Sequence, residues 1–216
     1  MLNMSKVILR LIDGVRSFSR TECAKYSSYN KTVENGQSPK VMIISCSDSL
    51  VDPAVLMNAR PGELFIHRNI AGLVPPYKAE EMLTPHGTSA VIEHGIKNLN
   101  VEHVVILGHG YCGGIAALLD DSTDQESSQS FIHSWMKIAI PVKEKMKKEK
   151  PDISHLEQRN FCEKESVSLS LKNIMTFPWV SQRVGEGSLS LHGWHFDRGI
   201  LSIYDDQKEC FETKIL

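Results

Sequence analysis

Cys46-Ser-Asp48 and His109-Gly-Tyr-Cys112 are the two places in this chain where residue types and spacing could do chemistry. Two thiolates and an imidazole are a standard donor set for zinc, which takes sulfur and nitrogen ligands in a tetrahedron. Cys46, His109 and Cys112 would fill three corners and leave one open. Water held in an open corner has its pKa lowered to about 7, so hydroxide becomes available as a nucleophile at neutral pH. Asp48 is then either a fourth ligand or a catalytic partner that accepts a hydrogen bond from that hydroxide, and both roles stay open at this point. A lone buried Cys is most often a small hydrophobe, and a purely structural zinc site usually draws on paired C-x-x-C knuckles in short loops. Ligands split between two strand ends are more typical of a functional site.

The flanking sequence supplies the elements that must position these groups. Val41-Met-Ile-Ile-Ser45 reads as a buried strand ending at Cys46, and Val104-Val-Ile-Leu107 as another that ends at the turn Gly108-His109-Gly110. Glu63-Leu-Phe-Ile-His67, entered through Arg60-Pro-Gly62, is a third. Helices are predicted over 3–20, where Val7, Ile8, Leu11, Ile12, Val15 and Phe18 recur at helical spacing, and from Asp52-Pro53. Further helices are predicted over 84–98, with Ala90, Val91, His94 and Ile96 near one face, after Gly113-Gly114, and over 131–149 and 157–175. Residues 120–130 form a polar loop, and 189–196 with 200–204 form a closing hairpin around Asp197-Arg-Gly199.

Strands alternating with helices predict an α/β domain, with a mostly parallel central sheet flanked by helices, an N-terminal helical arm and a C-terminal antiparallel hairpin. One domain over 1–216 is expected, with 1–35 as the arm. Sites in such sheets form beyond the carboxyl ends of strands where strand order reverses, and Cys46 and His109 both follow strand ends.

Bulk composition narrows the function classes. A chain of 216 residues suffices for one sizeable core. A net charge of -2 gives no electrostatic case for nucleic acid or an acidic membrane. No apolar stretch approaches the length of a membrane span, and the start reads as an amphipathic helix rather than a signal peptide. The five Cys are odd in number and irregularly spaced, so the expected compartment is reducing, the cytoplasm by default. Cys23, Cys162 and Cys210 read as plain thiols, and the histidines other than His109 lack ligand spacing.

The motifs closely resemble those of the β-class carbonic anhydrases. The likeness rests on Cys46-Ser-Asp48-Ser49, on Pro-Gly-Glu-Leu-Phe-Ile-His-Arg-Asn over 61–69, and on Gly-His109-Gly-Tyr-Cys112-Gly-Gly. It runs from Gln37 to Leu119 and resumes in Leu-His-Gly-Trp-His-Phe-Asp over 191–197. The resemblance implies one zinc ion per subunit held by Cys46, His109 and Cys112, with Asp48 orienting the hydroxide on it, and reversible hydration of CO₂ to bicarbonate and a proton. It implies a substrate pocket in which Gln37 hydrogen-bonds substrate, Phe65 and Ile70 form an apolar wall, and the Gly113 backbone lines the cleft. His94 stands where the family usually has an aromatic. The resemblance also implies a homodimer or homotetramer in which N-terminal helices embrace the neighbour.

One position departs from that pattern. The family's first motif runs Cys-Ser-Asp-Ser-Arg, and here Leu50 takes the place of the Arg. In the family that guanidinium holds the Asp by paired charge-assisted hydrogen bonds and keeps it off the metal. Leucine donates nothing from its side chain. The expected consequence is reduced activity. The alternative is a degenerate zinc protein, closed by Asp48 into a Cys₂-His-Asp site and acting as a partner or binding subunit. A substitute cation is the remaining reading, and Arg68 is the candidate for it. A third function keeps the scaffold and changes the substrate, as in relatives that hydrolyse CS₂ or carbonyl sulfide. Ile43 stands where some members carry a Trp used in a bicarbonate regulatory pocket, so that pocket is not predicted.

Overall fold

The computed structural model describes residues 5–23, 34–120 and 130–214. The chain forms two compact units, one up to Ser38 and one from Pro39 onward. In the first unit, α1 (Lys6–Phe18) starts where Ser5 Oγ accepts the Ile8 N–H at 3.4 Å, and it continues as a wider turn over Ser19–Cys23. Its Val7, Ile8, Leu11, Val15 and Phe18 are all exposed, on the helical spacing read from the sequence. The rest of the predicted arm, 1–4 and 24–33, lies outside the described residues.

The second unit is built on one six-stranded sheet in the order β2-β1-β3-β4-β5-β6. β1 (Val41–Cys46) pairs in parallel with β2 (Leu64–Asn69) on one side and β3 (His103–His109) on the other. β4 (Ser190–Asp197) continues the parallel run beside β3, and β5 (Ile200–Asp205) and β6 (Cys210–Lys214) follow antiparallel. Strand order therefore reverses between β1 and β3, and the crevice at such a point is where α/β sheets place ligands.

Helices cover both faces. The helices are α2 (Pro53–Leu56), α3 (Gly87–Glu93), α4 (Gly113–Leu119), α5 (Phe131–Met136), α6 (Ile140–Glu149), α7 (His155–Ile174) and α8 (Pro178–Gly185). Alternate residues of β1 face opposite ways. Ile43 joins a core with Val105, Leu107, Ile115 and Met136, whereas Met42 and Ile44 join one with Ile92, Ile96, Ile174 and Phe177. Both faces of the central strands are dry, which is why β1 and β3 read as unbroken apolar runs.

The structure corrects several boundaries. The predicted 84–98 helix begins at Gly87, because Pro85 disfavours helical geometry in the residue before it, and it ends in a wide turn over His94–Asn98. Its inner face is Thr88, Ile92 and Ile96, while Ala90 and His94 are exposed. The 131–149 helix is broken by a tight turn at Lys137–Ala139, just before Pro141, which cannot donate to the ladder. α7 starts two residues earlier than expected because Ser154 and Glu157 form a reciprocal capping box. α8 and β6 were not predicted, and most of the 120–130 loop lies outside the described residues.

Candidate metal centre

Cys46 is the last residue of β1 and His109 the last of β3. Cys112 follows three residues later, immediately before α4, and all three are buried. Their donor atoms lie within 4.8 Å of one another. Among the described residues this is the only cluster of at least three such groups that could hold a metal, and the Asp48 carboxylate is not part of it.

The turn that brings His109 and Cys112 together is backbone chemistry. Tyr111 adopts a φ of 59°, in the left-handed region that non-glycine residues seldom enter. Such strain persists where the surroundings over-determine it. Here the Tyr111 ring has the guanidiniums of Arg159 and Arg198 each 5.1 Å from its centroid. The Gly110 N–H donates to the Phe196 carbonyl at 2.9 Å, and a Cβ at Gly110 would stand 2.5 Å from the Asp197 carboxyl. The Cys112 N–H donates to Glu163 Oε1 at 2.9 Å.

The Cys46 turn is held differently. Arg68 on β2 donates from Nε to the Cys46 carbonyl (2.9 Å), from Nη2 to the Asp48 carbonyl (2.6 Å) and from Nη1 to Asp52 Oδ2 (2.7 Å). The other Asp52 oxygen caps α2 through the N–H groups of Ala54 and Val55. The Asp48 carboxylate accepts the backbone N–H of Leu50 at 2.9 Å. Arg68 therefore grips the backbone of this turn and not the Asp48 carboxylate. The Leu50 side chain is 85% exposed.

The donor set fits zinc. Two sulfurs each about 2.3 Å from one tetrahedral ion lie about 3.8 Å apart; Cys46 Sγ and Cys112 Sγ are 4.0 Å apart. His109 Nδ1 is 2.9 Å from the Gly110 carbonyl, which suits an N–H there, and Nε2 is buried with no hydrogen-bond partner among the described residues. An imidazole tied at one nitrogen and bare at the other is the usual state of a ligating His.

Protonation follows from this proximity. The hydrogen bond from Cys112 drives the Cys46 thiol down to about 4 against the opposing effect of burial, with further help from His109. Cys112 is pushed up by the same bond and by burial, so the two sulfurs share one proton, with Cys46 the thiolate. Burial works against charge on His109, but the Cys46 thiolate more than offsets it and raises that imidazole above its usual value.

The other sequence-predicted positions divide. Ile70, 38% exposed, opens a tight turn after β2 (Ile70–Gly72), and Trp135 Nε1 donates to its carbonyl at 2.8 Å. That turn lies against the end of β1: a Cβ on Gly72 (φ 63°) would come 3.2 Å from the Cys46 nitrogen. Gly113 is the first residue of α4 and has nothing within 4 Å of where a Cβ would be. Ile70 also lines an open cleft of about 470 Å³ with Ser47, His67, Asn69, Thr88 and Trp135. Phe65 is not brought to the donor trio in one chain; it pairs with Met42, packs against the opposite core and lies 5.7 Å from the His94 ring, tilted by 51°. Gln37 is exposed, in the N-terminal unit. Glu163, Arg159 and Tyr111 were missed by sequence reasoning, since nothing in an isolated helix or turn marks them as facing a ligand.

A buried Cys₂-His trio that could hold a metal, at the switch point of a mostly parallel sheet, defines the class of α/β protein. The protein-family model described as Carbonic anhydrase matches residues 41–199, so this chain belongs to the carbonic anhydrase family, in its β class. It is similar to Beta carbonic anhydrase 3 of Arabidopsis thaliana, 35% identical over 198 residues, which cover 90% of this chain and 75% of the relative. Beta carbonic anhydrase 5, chloroplastic, of the same plant is 39% identical over 167 residues, 77% of this chain. The chain spans 54% of that relative's length. Among solved structures, the β-carbonic anhydrase CcaA matches with a TM-score of 0.89 at 26% identity, covering 97% of this chain and 93% of that one. The tetrameric β-carbonic anhydrases of Sordaria macrospora share the fold, with a TM-score of 0.78 at 24% identity and 97% of each chain covered.

Proposed function

We propose that this protein catalyses the reversible hydration of CO₂ to bicarbonate and a proton, with one zinc ion per subunit held by Cys46, His109 and Cys112. The observation that carries the reading is the donor trio itself, within 4.8 Å and with His109 Nε2 bare, in a chain of this family. When bound there, zinc supplies the Lewis acidity that makes water nucleophilic near neutral pH.

The chain's own residues do the rest. The Cys46 thiolate and the Nδ1-tied imidazole of His109 offer donors that need little rearrangement. Asp48 sits two residues from Cys46 with its carboxylate on the Leu50 N–H, and from there it would accept a hydrogen bond from the attacking group. Ile70 and the Gly113 backbone would border the substrate, and Gln37 and Phe65 would be supplied to the pocket by a second copy of the chain. In this reading the protein works as a homo-oligomer, its exposed α1 stripe covered by a second copy, in a reducing compartment such as the cytoplasm.

Activity is expected to be reduced, because among the described residues no guanidinium holds the Asp48 carboxylate and a single N–H is a weaker restraint than a bidentate pair. The same observation favours the second reading, in which Asp48 closes onto the metal and the protein serves as a binding or partner subunit. Stopped-flow CO₂ hydration by zinc-replete protein tests the proposal, with Cys112→Ala beside it. Turnover above buffer that vanishes in Cys112→Ala supports catalysis; turnover no faster than buffer overturns it in favour of the closed site.

A further inference from the structure

Glu163 belongs to neither ligand motif, yet it is 4% exposed and lies directly behind the Cys112 turn. Its Oε1 accepts the Cys112 N–H at 2.9 Å and the Arg159 Nε–H at 3.1 Å, and its Oε2 stands 3.6 Å from Nε2 of His195, itself 1% exposed. A buried carboxylate is costly to place, and an apolar side chain on α7 would usually serve the core as well. What the carboxylate adds here is direction. Fixing the Cys112 N–H fixes the peptide plane between Tyr111 and Cys112, and with it the bond that carries Cys112 Sγ. Arg159 ties the same turn twice, through Glu163 and through the face of Tyr111.

We propose that Glu163 is a positioning residue of the metal centre: it anchors the Cys112 backbone so that Sγ is presented 4.0 Å from Cys46 Sγ, and Arg159 holds the carboxylate in place. The proposal rests on the metal reading above and assigns part of that site's affinity to a residue outside it. Partners that orient a ligand from behind are worth about 10–100-fold in metal affinity.

The test is zinc affinity by chelator competition and the visible spectrum of the Co²⁺-substituted protein, on wild type, Glu163→Ala, Glu163→Gln and Arg159→Ala, full length. Glu163→Ala is expected to weaken zinc by about 10–100-fold and to shift the cobalt bands. Glu163→Gln, whose amide oxygen still accepts the Cys112 N–H, is expected to stay close to wild type. Arg159→Ala is expected to fall between them, and it carries the test if Glu163→Ala does not fold. Wild-type affinity and spectrum in Glu163→Ala, or in Arg159→Ala where that variant carries the test, would overturn the proposal. So would a Gln variant as weak as the Ala variant, which would point to buried charge rather than to the hydrogen bond. A wild type that holds no zinc would instead overturn the metal reading itself.

Discussion

The two turns that form the candidate metal centre are built to different standards. The His109–Cys112 turn has both donors buried, is strained at Tyr111 and is held by Glu163 and the Phe196 carbonyl, with Asp197 packed against Gly110. The Cys46–Leu50 turn is gripped from one side by Arg68, through two backbone carbonyls, and ends in a leucine that is almost fully exposed. Two of the three donors thus sit in a fixture that tolerates little. The third donor and the carboxylate beside it sit in a turn whose backbone is held by Arg68 and whose carboxylate is held by a single backbone N–H. Leu50, the position expected to depart from the family's motif, lies in this second turn, with its side chain out in solvent and only its backbone N–H on Asp48.

If that contrast is right, removing a donor from the braced turn should have the largest effect. Cys112→Ala or His109→Ala is expected to abolish stoichiometric zinc binding, checked by metal content after dialysis; retained zinc would break the comparison at its root. Gly110→Ala comes next. Its Cβ would stand 2.5 Å from the Asp197 carboxyl, so it should cost about 3 kcal/mol, the upper end for overpacking, read from denaturant midpoints. On the other turn, Arg68→Ala deletes three hydrogen bonds, two to carbonyls and one to Asp52. It should cost about 2 kcal/mol, in line with hydrogen bonds to a charged group, and should lower turnover while leaving zinc stoichiometry intact. A zinc loss as large as that of Cys112→Ala would show the two turns to be equally rigid.

The smallest effect concerns acid. His67, on β2 beside β1, has its pKa lowered from 6.5 by burial. The unfolded chain therefore takes up the proton first, so His67's contribution to stability is complete above 6.5 and is lost as pH falls from there through the lowered folded value. Urea midpoints should drop as pH falls below 6.5, and His67→Gln should lessen the drop. An equal drop in the variant would place the acid sensitivity elsewhere.

Much of this was legible in the sequence because it is written in local pattern. Two dry strands, each delivering a ligand at its end, were enough to place Cys46 and His109 at one crevice. The reversal of strand order between β1 and β3 then confirmed why they meet. Glu163 and Arg159 were not legible, because their role depends on which way α7 faces, and their i,i+4 spacing also suits an ordinary surface pair. β6 escaped for a similar reason: Cys210–Lys214 is an edge strand with polar residues and almost no apolar signal. Arg68 could be named as a candidate cation from sequence, but only geometry shows that it holds backbone and leaves the Asp48 carboxylate to Leu50.

The account turns on what Leu50 does to Asp48, and CO₂ hydration by stopped flow at alkaline pH, wild type beside Leu50→Arg with both zinc-replete, tests it most directly. A slow wild type and a Leu50→Arg variant faster by an order of magnitude or more would show a carbonic anhydrase whose carboxylate has lost its restraint. A wild type already as fast as Leu50→Arg would contradict the account, and would mean that the Leu50 N–H and the Arg68-held backbone suffice to keep Asp48 in place.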